Sequence, residues 1–229
     1  MQEQDSRATS FTTLAAGGDF RHELDIKRSR FITVLRRAGT EDAARDLVAG
    51  LRREFHDARH HCSAFVIGPD RSIQRSSDDG EPAGTAGIPM LEALLKRETA
   101  PGVSDLSDIS AVVVRYFGGV LLGAGGLVRA YSESVSAALE LAPLARRSRL
   151  RICSAAVPHA AAGRLENDLR AAGTVMAETS YQDRHTVLRI AVPDHADAIA
   201  AASDRILQLT AGSASLTADG TEWVDEPLT

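Results

Sequence analysis

Residues 109–131 read ISAVVVRYFGGVLLGAGGLVRAY, and this stretch decides the fold of the first half of the chain. Its first nine residues are mostly apolar and β-branched, as in a buried central strand. Arg115 and Tyr116 lie at the end of this strand, and Arg129 lies about one turn into the helix that follows. The pattern predicts a strand, a glycine-rich loop and a helix in succession. The glycines of the loop are Gly118, Gly119, Gly123, Gly125 and Gly126.

A second glycine-rich loop precedes another predicted helix. Residues 78–87 read DDGEPAGTAG, with carboxylates at Asp78, Asp79 and Glu81, and the helix is predicted to begin at Pro89. Glycines allow turns that direct successive backbone N–H groups into one concavity, and a helix N terminus adds partial positive charge. The loop could therefore hold an anion. Its carboxylates leave three alternatives, because they could fill the concavity, coordinate Mg²⁺ or pair with arginines.

The two loops are predicted to form one cleft, because each ends a sheet element and opens a helix of the same domain. We expect Asp79 to lie near Arg129. The spacing of the glycines matches neither GxGxxG nor the GxxxxGK[ST] of a P-loop. Two interpretations stay open: a cleft in which Arg115 and Arg129 bind a phosphate or an acidic side chain, and a pair of tight turns joined by an internal salt bridge.

The rest of the first half predicts strands and one further helix. FRHELDIK and RFITVLRR alternate apolar and polar residues, and the link Arg28-Ser29 suggests a hairpin. Thr40 is a candidate N-cap for a helix from about residue 41 to 55. CSAFVIG and SIQRSS are predicted strands. Residues 1–18 show no period and are predicted to be a flexible N-terminal tail.

The second half predicts six elements in the order βαββαβ, which is that of a ferredoxin-like domain. A proline and an arginine run near Ala145 predict a domain boundary. We therefore expect an α+β protein with domains at residues 19–147 and 148–229. The six elements are the strand RLRICSAAV, a helix from Pro158 to about Ala172, the strands TVMAETSY and RHTVLRIAV, a helix from Asp194 to about Leu209, and the strand SASLTADGTEWV.

The composition is typical of an ordinary globular protein, because 44% of the 229 residues are hydrophobic. No run approaches the roughly 20 apolar residues of a membrane span, and the start lacks the order of a signal peptide, so we expect a cytoplasmic protein with no membrane partner. Its cysteines, Cys62 and Cys153, provide no disulfide framework and no CxxC metal site. No cofactor and no metal are predicted.

Charge is unevenly distributed along the chain. Residues 1–150 carry equal numbers of acidic and basic residues, so the net charge of −5 is carried by the second half. This balance argues against a general binder of polyanions. The densest basic run is either a local patch or, as we favour, a solvated surface. It consists of Arg146, Arg147, Arg149 and Arg151.

Three further patterns suggest chemistry, and each has a structural alternative. HDARH, residues 56–60, resembles a zinc-binding HExxH helix, but it lies at a helix end and aspartate shortens the reach of the base, so we reject it. Cys62 follows two histidines, yet neighbours on one strand face are too far apart for aligned proton transfer, so core packing is favoured. Tyr116 and Tyr131 could stack on a base, although only 4% of the residues are aromatic.

Three long motifs, RHHCSAF, SSDDGEPAGTAGIPML and VVVRYFGGVLLGAGGLVRAY, together with the βαββαβ region, resemble the YigZ/IMPACT family over nearly all of residues 19–224. The resemblance implies a first domain with the left-handed βαβ fold of a ribosomal protein, elongation factor G domain IV and the sugar kinases. It implies a second domain similar to domain V of elongation factor G. The motif also covers Phe117 and Gly87. The binding residues it implies here are His60, Asp78, Asp79, Gly80, Glu81, Gly84, Thr85, Arg115, Tyr116, Gly118, Gly119, Gly123, Gly126, Arg129 and Tyr131.

Function is predicted from this resemblance and from the loops. Eukaryotic members restrain a stress-activated kinase and use an RWD domain, which is not recognisable in this sequence, so that activity is not carried over. The leading hypothesis is a non-catalytic protein that binds RNA, the ribosome or a translation factor. The alternative is a small-molecule enzyme, such as a Mg²⁺-dependent phosphoryl-transfer or hydrolytic enzyme, in which Asp78, Asp79 or Glu81 holds the metal or acts as base. A third hypothesis is a homo-oligomeric scaffold.

Overall fold

The computed structural model describes residues 8–227 and divides the chain into two compact units. The first runs to Arg147 and takes in the chain from Asp225 onward, and the second is Ser148–Val224. The predicted α+β class is confirmed. None of the helices in the described part of the chain is long and apolar enough to span a membrane.

In the first unit, one five-stranded sheet has the order β2-β3-β6-β4-β5, and all its neighbouring strands are antiparallel. Since β3 and β4 both run antiparallel to β6, helix α1 joins two parallel strands. The strands are β1 Ser10–Leu14, β2 Phe20–Ile26, β3 Ser29–Arg37, β4 His60–Ile67, β5 Ile73–Ser77 and β6 Ile109–Tyr116. The helices are α1 Glu41–Glu54, α2 Gly87–Lys96 and α3 Gly123–Leu141.

Strand β6 is the centre of this sheet, and its residues 109–115 are all buried. Alternate side chains point to opposite faces of a strand, so β6 contributes to two cores. Val113 packs in the core beneath α2 and α3. Val112 and Val114 pack on the other face, against Leu47 and Leu51 of α1. The predicted central strand and the helix that follows it therefore organise the whole unit.

The predicted flexible tail is wrong for its second part, because Ser10–Leu14 form strand β1. The Thr12 N–H donates to the Asp105 carbonyl oxygen at 3.2 Å, and Ala15 N–H donates to Pro143 at 2.9 Å. Phe11 is buried to 1% exposure. A strand of five residues is too short for its alternation to stand out, and its partners lie about ninety residues and more further along the chain. Residues 1–7 of the predicted tail lie outside the described residues.

Several predicted boundaries shift by a few residues. Helix α1 is confirmed, with the Thr40 hydroxyl accepting the Ala43 N–H at 3.2 Å. The β2–β3 hairpin turns at Lys27 and Arg28, both with positive φ, rather than at Arg28-Ser29. Helix α2 begins at Gly87, ahead of Pro89. Helix α3 begins at Gly123, so the glycines from 123 to 126 form its first turn instead of a loop.

The second unit has the predicted βαββαβ order. Strand β7 pairs with β9 and β10, and β9 pairs with β8, which gives the order 4-1-3-2 of a ferredoxin-like sheet. Helices α4 and α5 pack on one face, around Leu165, Leu188 and Ile206. The elements are β7 Leu144–Val157, α4 His159–Ala171, β8 Val175–Tyr181, β9 Thr186–Pro193, α5 Ala196–Leu209 and β10 Thr217–Pro227.

The arginine run near the boundary is not a free basic patch. Arg147 pairs with Asp225 at 3.0 Å, and Arg151 pairs with the buried carboxylate of Asp194 at 2.8 Å. Arg146 donates to the Ser10 hydroxyl at 2.7 Å, and Arg149 pairs with Asp194. The guanidinium groups of the run are therefore held by internal partners.

Candidate functional site

Asp78 fills the backbone concavity of the first glycine-rich loop. Its carboxylate accepts N–H groups from Gly84 at 2.7 Å, Ala86 at 3.0 Å and Gly87 at 2.8 Å. Burial acts to raise the pKa of this carboxyl, but the three donors outweigh burial and leave the pKa below its usual value. A Cβ on Gly87 would lie 2.7 Å from the backbone nitrogen of Ser77, so α2 can start this close to β5 only with glycine. Asp78 therefore fills the concavity itself, which is one of the three alternatives that the carboxylates left open.

Asp79 closes the same loop against the start of β4. It accepts the His61 N–H at 2.6 Å and forms an ion pair with Arg52 of α1. Its carbonyl oxygen lies 2.9 Å from His60 Nδ1. Gly80 follows with a φ of 85°, and a Cβ there would approach the His60 ring to 3.5 Å. The His60 ring therefore contacts the turn at both Asp79 and Gly80.

Glu81 and Arg115 form the centre of a buried polar network. Arg115 Nη1 donates to Glu81 Oε1 at 2.6 Å, and the side chains are 8% and 4% exposed. The Tyr131 hydroxyl donates to the same oxygen at 2.9 Å, and Cys62 Sγ lies 3.3 Å from that hydroxyl. Burial raises the pKa of the Cys62 thiol to about 12 and raises the pKa of Tyr131 as well. The network joins the first loop to β6 and α3, which flank the second loop.

Arg115 also supports an aromatic side chain at the surface. Its guanidinium carbon lies 5.5 Å from the ring centroid of Phe31 and 5.7 Å from that of Phe117. Phe31 is fully buried, whereas Phe117 is 51% exposed. Cations favour the faces of aromatic rings, and a desolvated guanidinium does so most strongly. The buried network therefore fixes one side of an exposed ring.

The backbone after Phe117 is held against the β2–β3 turn. The Gly118 N–H donates to the Ser29 hydroxyl at 3.2 Å, and a Cβ on Gly118 would lie 1.8 Å from the Arg28 carbonyl oxygen. No side chain fits there without moving the backbone. Gly119, with a φ of 83°, has no such neighbour. The second loop is therefore anchored at Gly118 and open beyond it.

An exposed surface results around this anchor, and we name it the glycine-loop surface. Leu121 is 84% exposed, and Lys27, Arg28 and Arg129 are exposed as well. Within residues 8–227, none of these three basic side chains forms an ion pair. The glycine-loop surface consists of Lys27, Arg28, Phe117, Leu121 and Arg129.

The predicted site residues thus divide into an interior group and an outer one. Arg115 was predicted to bind an external anion, but its guanidinium is buried on Glu81. Asp79 was expected to lie near Arg129, but its ion-pair partner among the described residues is Arg52 of α1, while Arg129 is exposed on α3. Arg129 is therefore the predicted arginine that remains available to a ligand.

Other predicted residues have structural roles. The Tyr116 hydroxyl donates to Asp57 at 2.7 Å on the α1 face, away from Tyr131. Thr85 is buried and donates to the Pro82 carbonyl oxygen at 2.7 Å. Gly123 and Gly126 belong to the first turn of α3. Among the described residues, no group of three or more His, Cys, Asp or Glu side chains is placed to hold a metal ion.

Four residues of the glycine-loop surface were not predicted from the sequence: Lys27, Arg28, Phe117 and Leu121. Phe117 lay inside the quoted motif without a role, and Lys27 and Arg28 were assigned only to a hairpin. An aromatic residue directly before two glycines was the available signal for Phe117, because glycine neighbours leave a ring uncovered. No local pattern brings residue 28 beside residue 118.

Comparison with known proteins identifies relatives along most of the chain. The Impact N-terminal domain family matches residues 27–139. "IMPACT family member YigZ" of Escherichia coli (strain K12) is 41% identical over 196 residues, which cover 85% of this chain and 91% of that protein. "IMPACT family member YvyE" of Bacillus subtilis (strain 168) is 42% identical over 174 residues, 76% of each chain. A solved structure titled "Crystal structure of an hypothetical protein" is 38% identical, with a TM-score of 0.58, and the match covers 92% of this chain and 98% of that one.

Proposed function

Because this chain belongs to the IMPACT family, we propose that it is a non-catalytic binding protein of the translation apparatus and that its ligand is RNA. The names of these relatives state only the family, so the support for RNA comes from the site. The glycine-loop surface is the binding surface in this proposal.

One observation carries the proposal: the glycine-loop surface combines an exposed aromatic ring with three cations that have no ion-pair partner among residues 8–227. Lys27 and Arg28 lie on the turn that Gly118 contacts, and Gly118 directly follows Phe117 in the chain. Arg129 lies on α3, whose first turn has no acidic residue. Phosphate groups are bound by lysine, arginine and helix N termini, and bases are bound by aromatic side chains. The surface therefore offers groups for both parts of a nucleotide.

The chemistry behind the surface favours binding over catalysis. The carboxylates of Asp78, Asp79 and Glu81, which an enzyme would need for a metal or a base, accept backbone N–H groups or pair with arginines. With a pKa of about 12, the Cys62 thiol would supply very little thiolate at neutral pH. Both features support a role for these polar groups in stabilising the loops.

A salt titration of RNA binding tests the proposal. The full chain would be titrated onto a fluorescently labelled, unstructured 20-nucleotide RNA and onto purified ribosomes at several KCl concentrations. The triple variant Lys27→Ala/Arg28→Ala/Arg129→Ala should bind more weakly, and the slope of log affinity against log salt should become shallower by about 2, as expected when phosphate contacts are lost.

The matched control is Arg53→Ala/Arg164→Ala/Arg205→Ala, which removes the same charge from exposed positions on other helices. It should bind as the parent does. Equal affinity and equal slope for the parent and the first triple variant would contradict the proposal. Hydrolysis of ATP with Mg²⁺ that is abolished by Asp79→Asn, with the fold intact, would favour the enzyme alternative instead.

A further inference from the structure

We propose, on the basis of the proposed function, that Phe117 is a stacking platform for an unpaired base and that the glycine-loop surface therefore binds single-stranded rather than double-stranded RNA. The evidence is the way in which the ring is held, the fixed backbone beside it and the charge around it.

The ring of Phe117 contacts a buried cation and is half exposed. The Arg115 guanidinium lies over it at 5.7 Å, and that guanidinium is itself fixed by Glu81 and packed over Phe31. Half of the Phe117 side chain nevertheless remains exposed to solvent. Apolar side chains are normally buried, because exposure of their surface to water is unfavourable. A ring that a buried cation holds at the surface is ready to accept a second flat group on its open side.

The backbone around the ring is fixed before any ligand arrives. Gly118 lies too close to the Arg28 carbonyl oxygen for any other residue, and the Ser29 hydroxyl accepts its N–H. Ordering a loop on binding lowers affinity, so a loop that is already ordered retains more of the stacking energy. The buried network reaches this anchor through Arg115, whose Nη2 lies 3.5 Å from the Ser29 hydroxyl oxygen.

Charge complementarity selects nucleic acid as the occupant. Lys27 and Arg28 are exposed on the turn that Gly118 contacts, and Arg129 is exposed on the helix that the loop enters, so the segments on both sides of the loop carry cations. An unpaired nucleotide presents a flat base and a phosphate that match a ring with neighbouring cations. In a duplex, the bases are stacked on one another and cannot cover the Phe117 ring, so a duplex would gain only the phosphate contacts.

Substitution of Phe117 in the full chain tests this proposal. Binding of an unstructured 20-nucleotide RNA and of a 20-base-pair RNA duplex would be measured for the parent, Phe117→Leu and Phe117→Trp. The parent should prefer the single strand. Phe117→Leu keeps an apolar side chain without a ring. It should weaken single-strand binding by about 5- to 100-fold and leave duplex binding unchanged. Phe117→Trp should retain single-strand binding.

The matched control is Tyr181→Ala, which removes a 76% exposed aromatic side chain from the second unit and should change neither affinity. Two results would overturn the stacking proposal. One is that Phe117→Leu binds the single strand as tightly as the parent does. The other is that the parent binds the duplex as tightly as the single strand. If the salt response still requires Lys27, Arg28 and Arg129 in that case, the proposed function stands and only stacking fails. Absence of parent binding to both RNAs would overturn both proposals and point to a protein partner for the apolar loop.

Discussion

Arg115 Nη1 and Glu81 Oε1 lie 2.6 Å apart, in an ion pair that joins the two glycine-rich loops inside the first unit. Each residue comes from a motif whose charges suggest ligand binding, and each has the other as its ligand. The buried charges therefore hold the loops in shape, and the exposed residues next to them face the solvent.

Replacement of Glu81 by leucine should destabilise the protein by about 3–5 kcal/mol, because it leaves the Arg115 guanidinium buried without its counter-charge. Urea-induced unfolding measures this loss. The double variant Glu81→Leu/Arg115→Met should recover part of the stability, since it removes both charges. A double variant less stable than either single variant would contradict a pairwise role.

Replacement of Asp78 by asparagine should lower the free energy of unfolding by about 2 kcal/mol at pH 7, because three backbone N–H groups lose a charged acceptor. The folded-state pKa of Asp78 is lowered, so its stabilisation is present above the usual carboxyl pKa and is lost as the pH falls through the folded-state value. The deficit of Asp78→Asn should therefore shrink between pH 7 and pH 3. Urea midpoints at the two pH values check this, and a constant deficit would contradict it.

Stability should decrease as the pH rises above about 9, because the folded protein holds the Cys62 proton to a pKa of about 12 while the unfolded chain releases it near 9.0. Stabilisation by the protonated thiol is complete below pH 9 and is lost as the pH rises towards 12. Cys62→Ser does not titrate in this range, so its urea midpoint should fall less between pH 8 and pH 10.5. An equal fall in the parent and the variant would show that this thiol does not contribute.

Gly118→Ala should destabilise the protein by about 3 kcal/mol or more. The new Cβ would lie 1.8 Å from the Arg28 carbonyl oxygen, so the second glycine-rich loop would have to move away from the β2–β3 turn. Gly119→Ala is the matched control, since its Cβ would meet no neighbour within 4 Å and only the positive φ costs about 1 kcal/mol. Thermal unfolding of both variants measures the difference. Equal melting temperatures would show that the close approach at Gly118 is not maintained in solution.

Much of the fold followed from local sequence patterns. Helix α1 was predicted from the Thr40 cap and its apolar spacing, and the ferredoxin-like order from alternating periods in residues 149–224. Strand β1 was missed because its partners are distant in sequence. The first turn of α3 was missed because the glycines at 123, 125 and 126 have a low helix propensity. The packing of Leu127 and Tyr131 in the core outweighs this propensity.

The site was predictable only in its composition. Glu81 and Arg115 form an ion pair between the two motifs, which is the internal salt bridge that the sequence left open as one of two interpretations. Which charges are buried could not be read from the sequence, because the exposure of Arg115 depends on a partner 34 residues away. The ring of Phe117 contacts that same Arg115 guanidinium.

The most direct test of the RNA-binding surface is ultraviolet cross-linking of the full chain to an unstructured RNA, with the modified peptides mapped by mass spectrometry. Cross-links are expected within residues 116–129, which include Phe117, and at the turn of Lys27 and Arg28. Cross-links confined to residues 148–224, under conditions in which the RNA is bound, would contradict it.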